Sequence, residues 1–380
     1  MMAKLQASLD SIATARHGIH ESVPHILERL GIKPAELVGD SRNALPGTVF
    51  AAYPGESRDG RDFIAQAVAQ RVDGVLWEAD RYQWDPALDL PNAGVAGLKS
   101  RIGEIAAHIY GEPSRALHMV GVTGTNGKTS VAHWIAQSLS QTGRKTAVIG
   151  TVGNGFPGTL TPALNTTPDA IELQRRLAFY RRQDAAACAM EVSSHGLAQG
   201  RINGTRFNVA VLTNLSRDHL DYHGDMDRYG AAKAQLFNWP GLEWAVLNVD
   251  DAFGRQLEGE TRPARVAGYG FQRGAVVGEK LQLSQAGLHL VVHTDWGNAE
   301  IDAPLLGRFN AANLLAVLTA LLVSGVKLDE ACQALVHIVP PPGRMQTFGG
   351  DVHPLVVVDY AHTPDALEKV LATLREIVHG

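Results

Sequence analysis

Residues 120–130 read Val-Gly-Val-Thr-Gly-Thr-Asn-Gly-Lys-Thr-Ser, a run whose chemistry suits an anion. An apolar strand is expected over Leu117–Val122, and a helix is expected to open near Lys128. A glycine-rich turn between the two points backbone N–H groups inward, and the new helix adds its positive end, so the pair cradles phosphates. Gly124, Thr125, Asn126, Gly127, Lys128, Thr129 and Ser130 make up that cradle. Lys128 has the reach for the outer phosphates, and the Thr129 hydroxyl can hold Mg²⁺. Val122 stands where the usual form of the motif has glycine, so Gly124 and Gly127 bracket a tighter loop.

Four further stretches carry reactive types. Asn165-Thr166-Thr167-Pro168 gathers small polar residues before a helix, which capping explains as well as substrate binding does. Glu191-Val192-Ser193-Ser194-His195-Gly196 leads on to Gln199 and Arg201. A carboxylate closing a buried strand beside a phosphate loop suits Mg²⁺, which prefers hard oxygens and keeps several waters. A capped or salt-bridged strand end is the alternative reading of Glu191, as a hydrogen-bonded structural histidine is of His195. Residues 213–223 are dense in Asp and His, which raises zinc, but no cysteine pair supports it. Lys233 lies among Ala231, Ala232 and Ala234, and periodicity alone reads it as a snorkelling surface lysine.

The elements that must position these groups follow an α/β pattern. From about residue 112 to 342 strands and helices alternate, which predicts a mostly parallel sheet with helices on both faces. Strands are expected at 145–151, 186–192, 207–215 and 244–249, and ligands in such sheets sit beyond the carboxyl ends. Glu191, Asn214 and Asn248 fall at those ends. Residues 264–303 read as an antiparallel extension, and Gly307–Ser324 as a helix that begins Arg308-Phe309-Asn310. Residues 1–111 form a smaller α/β unit, with a strand at 48–53, a polar turn, a helix over 61–70 and a strand at 74–77. Residues 343–380 open a Rossmann-like unit with a strand at 355–360 and a helix at 365–378. One strand and one helix cannot bury a core alone, so a truncated third domain is expected.

The bulk numbers exclude several classes. The 380 residues are 45% hydrophobic and 19% charged, ordinary for a soluble globular protein. A net charge of -5 gives no footing for nucleic-acid binding. Cys188 and Cys332 read as small buried hydrophobes in a reducing compartment. Met1–His20 is amphipathic and broken by charge, unlike a signal peptide. The longest apolar run, 314–326, is too short to span a bilayer, so a cytoplasmic protein without membrane insertion is expected.

Taken together, these phrases resemble the Mur ligase family. The matching segments are Gly-Thr-Asn-Gly-Lys-Thr (124–129), Asn-Thr-Thr (165–167), Glu-Val-Ser-Ser-His-Gly-Leu-Ala-Gln (191–199) and Thr-Asn-Leu-Ser-Arg-Asp-His-Leu-Asp-Tyr-His-Gly (213–224). Ala-Ala-Lys (231–233) and Val-Asp-Tyr-Ala-His-Thr-Pro-Asp-Ala-Leu (358–367) complete the set. The resemblance implies an ATP- and Mg²⁺-dependent amide ligase of peptidoglycan precursor synthesis, working through an acyl phosphate. It implies a first domain that binds the uridine nucleotide substrate through Ser41 and the turn Glu56-Ser57-Arg58. Asn165, Thr166, Thr167, Ser193, Gln199 and Arg201 would face the muramoyl-peptide. Thr129, Glu191 and His219 would be metal ligands, with Lys128, Lys233 and His219 catalytic. Asn310, Asn313 and Arg344 would contact the nucleotide, with Phe309 replacing a histidine common in other members. Lys233 matches a lysine carried as a carbamate, which would make it a further metal ligand.

The wording of 213–224 is closest to the diaminopimelate-adding members, so the expected partners are a UDP-N-acetylmuramoyl-dipeptide and a diamino acid. A monomer is expected. This chain holds the beginning of the third domain and is expected to turn over slowly. Lysine as the diamino acid, a small-molecule kinase, and a UDP-sugar-binding module without turnover stay open.

Overall fold

A computed structural model describes residues 21–261, 264–349 and 353–377. Met1–His20 and Val378, read above from sequence, lie outside the described residues. Two compact units divide the chain. The first comprises residues 1–113, 169–178 and 200–205, and the second comprises 114–168, 179–199 and 206–380.

In the first unit β1 (Glu36–Val38), β2 (Thr48–Ala52), β3 (Gly74–Glu78) and β4 (Asn92–Val95) form a parallel sheet in that order. All of β2 is buried, as expected of a strand covered on both faces. Val49 and Ala51 face the core with Ile26, Leu30, Leu98 and Ile105, whereas Phe50 and Ala52 face Ile64 and Ala67. The helix Leu98–Ile109 starts after Gly97, which has no capping side chain. Buried Glu78 supplies the cap instead: Gly97 N–H and Leu98 N–H donate to its two oxygens at 2.9 and 2.8 Å. The helix expected over 61–70 is split into a 3₁₀ turn, Gly60–Phe63, and a helix, Ile64–Ala69.

The second unit carries the glycine-rich loop 124–130. Its strands are β5 (His118–Thr123), β6 (Thr146–Ile149), β7 (Asn154–Phe156), β8 (Thr159–Thr161), β9 (Ala187–Glu191), β10 (Val209–Leu212) and β11 (Trp244–Asn248). They continue with β12 (Arg265–Gly270), β13 (Val276–Ser284), β14 (Gly287–Thr294) and β15 (Gly297–Ala303). The sheet order is β15-β14-β13-β12-β11-β10-β5-β9-β6-β7-β8. Strands β6, β9, β5, β10, β11 and β12 are parallel neighbours. The chain leaves β5 toward β6 and later returns to β10 on the other side. The order therefore reverses at β5, where such sheets open a crevice beyond the strand ends. The extension expected over 264–303 is antiparallel only from β13 to β15, because β12 joins the parallel sheet. Residues 154–161, unread from sequence, fold back as the hairpin β7–β8 on the opposite edge.

Two helices carry most of the packing around the loop. Lys128–Gln141 and Arg308–Val323 share one core with β5, β9 and β10. Arg308–Val323 is apolar around its circumference, as a helix covered on several sides must be. Beyond it β16 (Gln346–Phe348) pairs with β17 (Val356–Val358), and a helix spans Pro364–Ile377. Where the sequence reading had one strand, there are two. Leu306 and Met345 form a small core there with Phe309, Val357, Val370 and Leu374.

His133, on the helix after the loop, is 3% exposed, and its Nε2 has no hydrogen-bond partner among the described residues. Burial, reinforced by nearby Arg344, pushes its pKa down to about 4. The unfolded chain therefore binds more protons between the unfolded value near 6.5 and about 4. Stability is complete above that window and is lost as pH falls through it, by up to about 3 kcal/mol. Thermal melts from pH 7.5 to 4.5 should show a steeper acid loss in the wild type than in His133→Leu. Parallel curves would exclude His133 as the source.

Candidate functional site

The loop geometry follows from its glycines. Strand β5 runs through Val122, which pairs with Glu191 on β9 and Val211 on β10, so Val122 belongs to the sheet and the turn begins later. Gly124 has φ +148°, and a Cβ there would lie 1.8 Å from Thr213 Oγ1. Gly127 has φ +85° and touches the Asn313 amide, where a Cβ would meet Oδ1 at 2.5 Å. Only glycine fits both places. The end of β10 then braces the loop. Thr213 Oγ1 and Asn214 Nδ2 donate to Asn126 O at 2.6 and 3.1 Å, and Asn126 N–H donates to Asn214 Oδ1 at 3.0 Å.

Lys128 and Lys233 converge on this turn. Lys128 Nζ donates to Gly124 O and Thr125 O at 2.9 and 2.8 Å. Lys233 Nζ donates to the same Gly124 O at 2.8 Å and lies 4.4 Å from the centre of the Tyr229 ring. The helix Met226–Ala234 keeps Lys233 1% exposed, which rules out the snorkelling surface lysine. Desolvation, with Lys128 as a like-charged neighbour, lowers the Lys233 pKa well below the ordinary lysine value. Lys128 is also lowered, by desolvation first, while Glu191 favours its charge. Desolvation likewise raises the Tyr229 phenol to about 12, so it stays protonated 3.2 Å from Thr125 Oγ1.

Glu191 closes β9 at 1% exposure. Its carboxylate accepts from Thr129 Oγ1 at 3.0 Å, Thr151 N–H at 2.8 Å and Thr151 Oγ1 at 3.2 Å. The carboxylate thus caps Thr151 N–H and is also ringed with hydroxyls, which fits a capped strand end and a metal ligand alike. Thr151 was missed from sequence, since one threonine after a strand carries no pattern of its own. It also touches Thr166, at 3.0 Å between the hydroxyls. Arg344 Nη2 donates to Thr129 Oγ1 at 3.1 Å, and its guanidinium lies 5.0 Å from the Tyr360 ring centre.

The remaining expected residues divide by unit. Thr167 is buried, and its hydroxyl is engaged with Glu191 O, Ser193 N–H and Ser193 Oγ, so it shapes the turn. Asn165 is exposed, and Gln199 Nε2 donates to the Tyr222 hydroxyl at 3.3 Å. His219 has φ +53°, a rare conformation for a non-glycine residue, and sits 3.3 Å from Asp218. His219 and His223 are four residues apart, a spacing zinc sites use, but His223 Nε2 lies 3.0 Å from Ser194 Oγ. Among the described residues no three His, Cys, Asp or Glu side chains are grouped to hold a metal. Ser41, Glu56, Ser57, Arg58 and Arg201 lie in the first unit. Ser41 Oγ donates to Gln66 Oε1 at 3.2 Å, and Gly55 N–H donates to Arg58 O at 2.8 Å to close the Glu56-Ser57 turn.

A cavity of about 520 Å³ opens beside the loop, the size of a small-molecule site. Asn126, Gly127 and Ser130 form one wall, and Asn310, Asn313 and Arg344, which sequence named together, also line it. Asn248, Asp250, Phe271, Arg308, Tyr360 and His362 line it too. Of these, sequence marked Asn248 as a strand end, Arg308 as a helix start, and Tyr360 and His362 within the matched run 358–367. The others come from distant segments that meet only in the fold.

Residues 122–321 match the Mur ligase middle domain, and residues 343–380 match the Mur ligase glutamate ligase domain. A relative from Chromobacterium violaceum, named UDP-N-acetylmuramoyl-L-alanyl-D-glutamate–2,6-diaminopimelate ligase, is 54% identical over 93% of this chain and 72% of its own length. One of the same name from Nitrosomonas europaea is 48% identical over 93% of this chain and 71% of its own. A solved structure under that name is 36% identical, with a TM-score of 0.79 over 91% of this chain and 71% of that one. With the middle-domain match spanning the phosphate loop, the Glu191 carboxylate and buried Lys233, the chain belongs to the Mur ligase family.

Proposed function

We propose that this chain belongs to an ATP-dependent amide ligase that adds meso-diaminopimelate to UDP-N-acetylmuramoyl-L-Ala-D-Glu. The observation that carries the reading is the pairing of Thr129 with buried Glu191 beside Lys128 and the cavity. Identity to two diaminopimelate ligases supports the choice of amino acid. Residues 1–111, 112–342 and 343–380 are assigned to uridine-substrate binding, ATP binding and the start of the amino-acid domain. No helix among the described residues is long and apolar enough to cross a membrane, and a cytoplasmic monomer is the proposed form.

The residues suit Mg²⁺. Thr129, Thr151 and Glu191 offer hard oxygens around one point, and this cation needs few protein ligands when phosphates and water supply the rest. When bound, Mg²⁺ would neutralise charge on the phosphates. His219 and a carbamate on Lys233 are assigned to the same role. The chain's own groups do the remainder. The loop N–H groups and Lys128 hold the phosphates, and Asn310, Asn313 and Arg344 hold the rest of the nucleotide. The substrate carboxylate takes the γ-phosphoryl group, giving an acyl phosphate and ADP. The amine of the diamino acid then attacks the acyl carbon and phosphate leaves. Both steps build negative charge, which the fixed cation of Lys128 stabilises.

Ser41, Glu56, Ser57 and Arg58 are assigned to the uridine nucleotide. Asn165, Thr166, Ser193, Gln199 and Arg201 are assigned to the muramoyl-peptide, with Thr167 supporting that loop. Arg201 offers a planar fork suited to a carboxylate. Calorimetric titration with UDP-N-acetylmuramoyl-L-Ala-D-Glu tests the reading, with ATP titrated separately. Arg201→Ala should weaken the uridine substrate by about 2 kcal/mol and leave ATP nearly unchanged. No binding of either ligand by the wild type would overturn the function. Unchanged affinity in the variant would overturn only the Arg201 assignment.

A further inference from the structure

The helix Pro364–Ile377 forms one wall of the cavity through Ala366, Lys369, Val370 and Thr373. It is held in two ways. Toward its C-terminal end the attachment is apolar: Val370 and Leu374 pack against Leu306 and Met345. Thr373 also meets Gly307, so closely that a Cβ on that glycine would lie 2.5 Å from Thr373 Oγ1. At its first turn the attachment runs through a polar side chain. The Asp365 carboxylate accepts from Asn126 Nδ2 at 3.1 Å and from Ser216 Oγ at 3.4 Å. Lys369, one turn along, donates to the same oxygen at 2.9 Å.

Both backbone groups of Asn126 are held by the segment that follows β10. The N–H and carbonyl are fixed by Thr213 and Asn214, which leaves the Asn126 side-chain amide to define how the loop meets the facing wall. Ser216 N–H donates to Thr125 Oγ1 at 3.0 Å, so the second donor to Asp365 is tied to the same loop. One carboxylate thus joins the wall helix to two braced points of the loop. The Lys369 pair is partly exposed and worth little as an isolated bridge, but it supplies a cation beside the carboxylate where a polyanion would enter.

From this arrangement we infer that Asp365 is a positioning residue. It fastens the helix 364–377 to the phosphate loop through Asn126 and thereby fixes the width of the nucleotide cavity. The inference rests on the nucleotide reading of that cavity, and the test separates the two.

Affinity for ATP and ADP is measured by calorimetry in the wild type, Asp365→Ala, Asp365→Asn, Asn126→Ala and the double variant Asp365→Ala/Asn126→Ala. Asp365→Ala should weaken binding about tenfold. Asp365→Asn keeps an acceptor oxygen for the Asn126 amide and should stay within about threefold of wild type. In the Asn126→Ala background, Asp365→Ala should add no further loss, since the partner is already gone. Hydrogen exchange over 364–377 should rise in Asp365→Ala while the Lys128–Gln141 helix keeps its protection, which distinguishes a freed wall from general unfolding. Unchanged affinity in Asp365→Ala, tighter binding, or full additivity with Asn126→Ala would each overturn the inference. Failure of the wild type to bind any nucleotide would instead overturn the function from which it starts.

Discussion

Ligation by the full-length protein should vanish when Lys233 is replaced by alanine, while the uridine substrate still binds. Three observations converge on this lysine. It is 1% exposed, Lys128 lies nearby, and its amine is 2.8 Å from Gly124 O in the loop. Burial and the neighbouring ammonium both penalise the charged form, so the pKa falls and the neutral amine becomes accessible. A neutral amine adds CO₂ and loses a proton to give a carbamate, which turns a buried cation into an anion with hard oxygens. Small neighbours at Ala231, Ala232 and Ala234 accompany the side chain. A plain lysine touching phosphate is the competing account. Formate or acetate added to Lys233→Ala should restore part of the rate under the carbamate account, because a free carboxylate takes the vacated place. ¹³CO₂ should also leave a carbamate signal in the wild type that the variant lacks. Neither rescue nor signal would leave the phosphate contact as the role of Lys233.

Glu191→Gln should cost about a thousandfold in ligation rate, roughly 4 kcal/mol of transition-state stabilisation. The substitution preserves shape where space is tight, since a Cβ on Gly150 would already lie 2.2 Å from Glu191 Oε1. It removes the charge and turns one acceptor into a donor facing Thr129 and Thr151, both of which donate to it now. Rate against Mg²⁺ concentration, measured at saturating substrates, separates two roles. A metal ligand predicts that the variant needs far more Mg²⁺ and recovers in part when it is supplied. A carboxylate that merely caps residue 151 predicts the wild-type Mg²⁺ dependence with a lower melting temperature.

The contiguous parts of this site were legible because their chemistry is local. A strand, Gly124, Gly127 and Lys128 in sequence require a particular turn, and the helix begins at Lys128 as read. Glu191 was legible as the end of an apolar strand. Lys233 was misjudged by periodicity, since a nine-residue helix with a single lysine does not reveal which face is covered. Thr151, Asp250 and Phe271 gave no signal because their roles depend on partners far along the chain, and the matched run 358–367 contains Asp365 without showing that it meets Asn126. The placement of β12 failed for a related reason. Its glycines and alternation suit either strand direction, and pairing with β11 decides it.

Amide ligation itself is tested by product analysis of the full-length protein. The protein is incubated with ATP, Mg²⁺, UDP-N-acetylmuramoyl-L-Ala-D-Glu and meso-diaminopimelate, with lysine in a parallel reaction. ADP and the uridine product are quantified by chromatography and mass spectrometry. Sustained ADP release is expected only when both acceptor and diamino acid are present, matched one to one by a product heavier by a diaminopimelate residue. Phosphorylated product without an amide, ADP release indifferent to the diamino acid, or exclusive use of lysine would contradict diaminopimelate ligation.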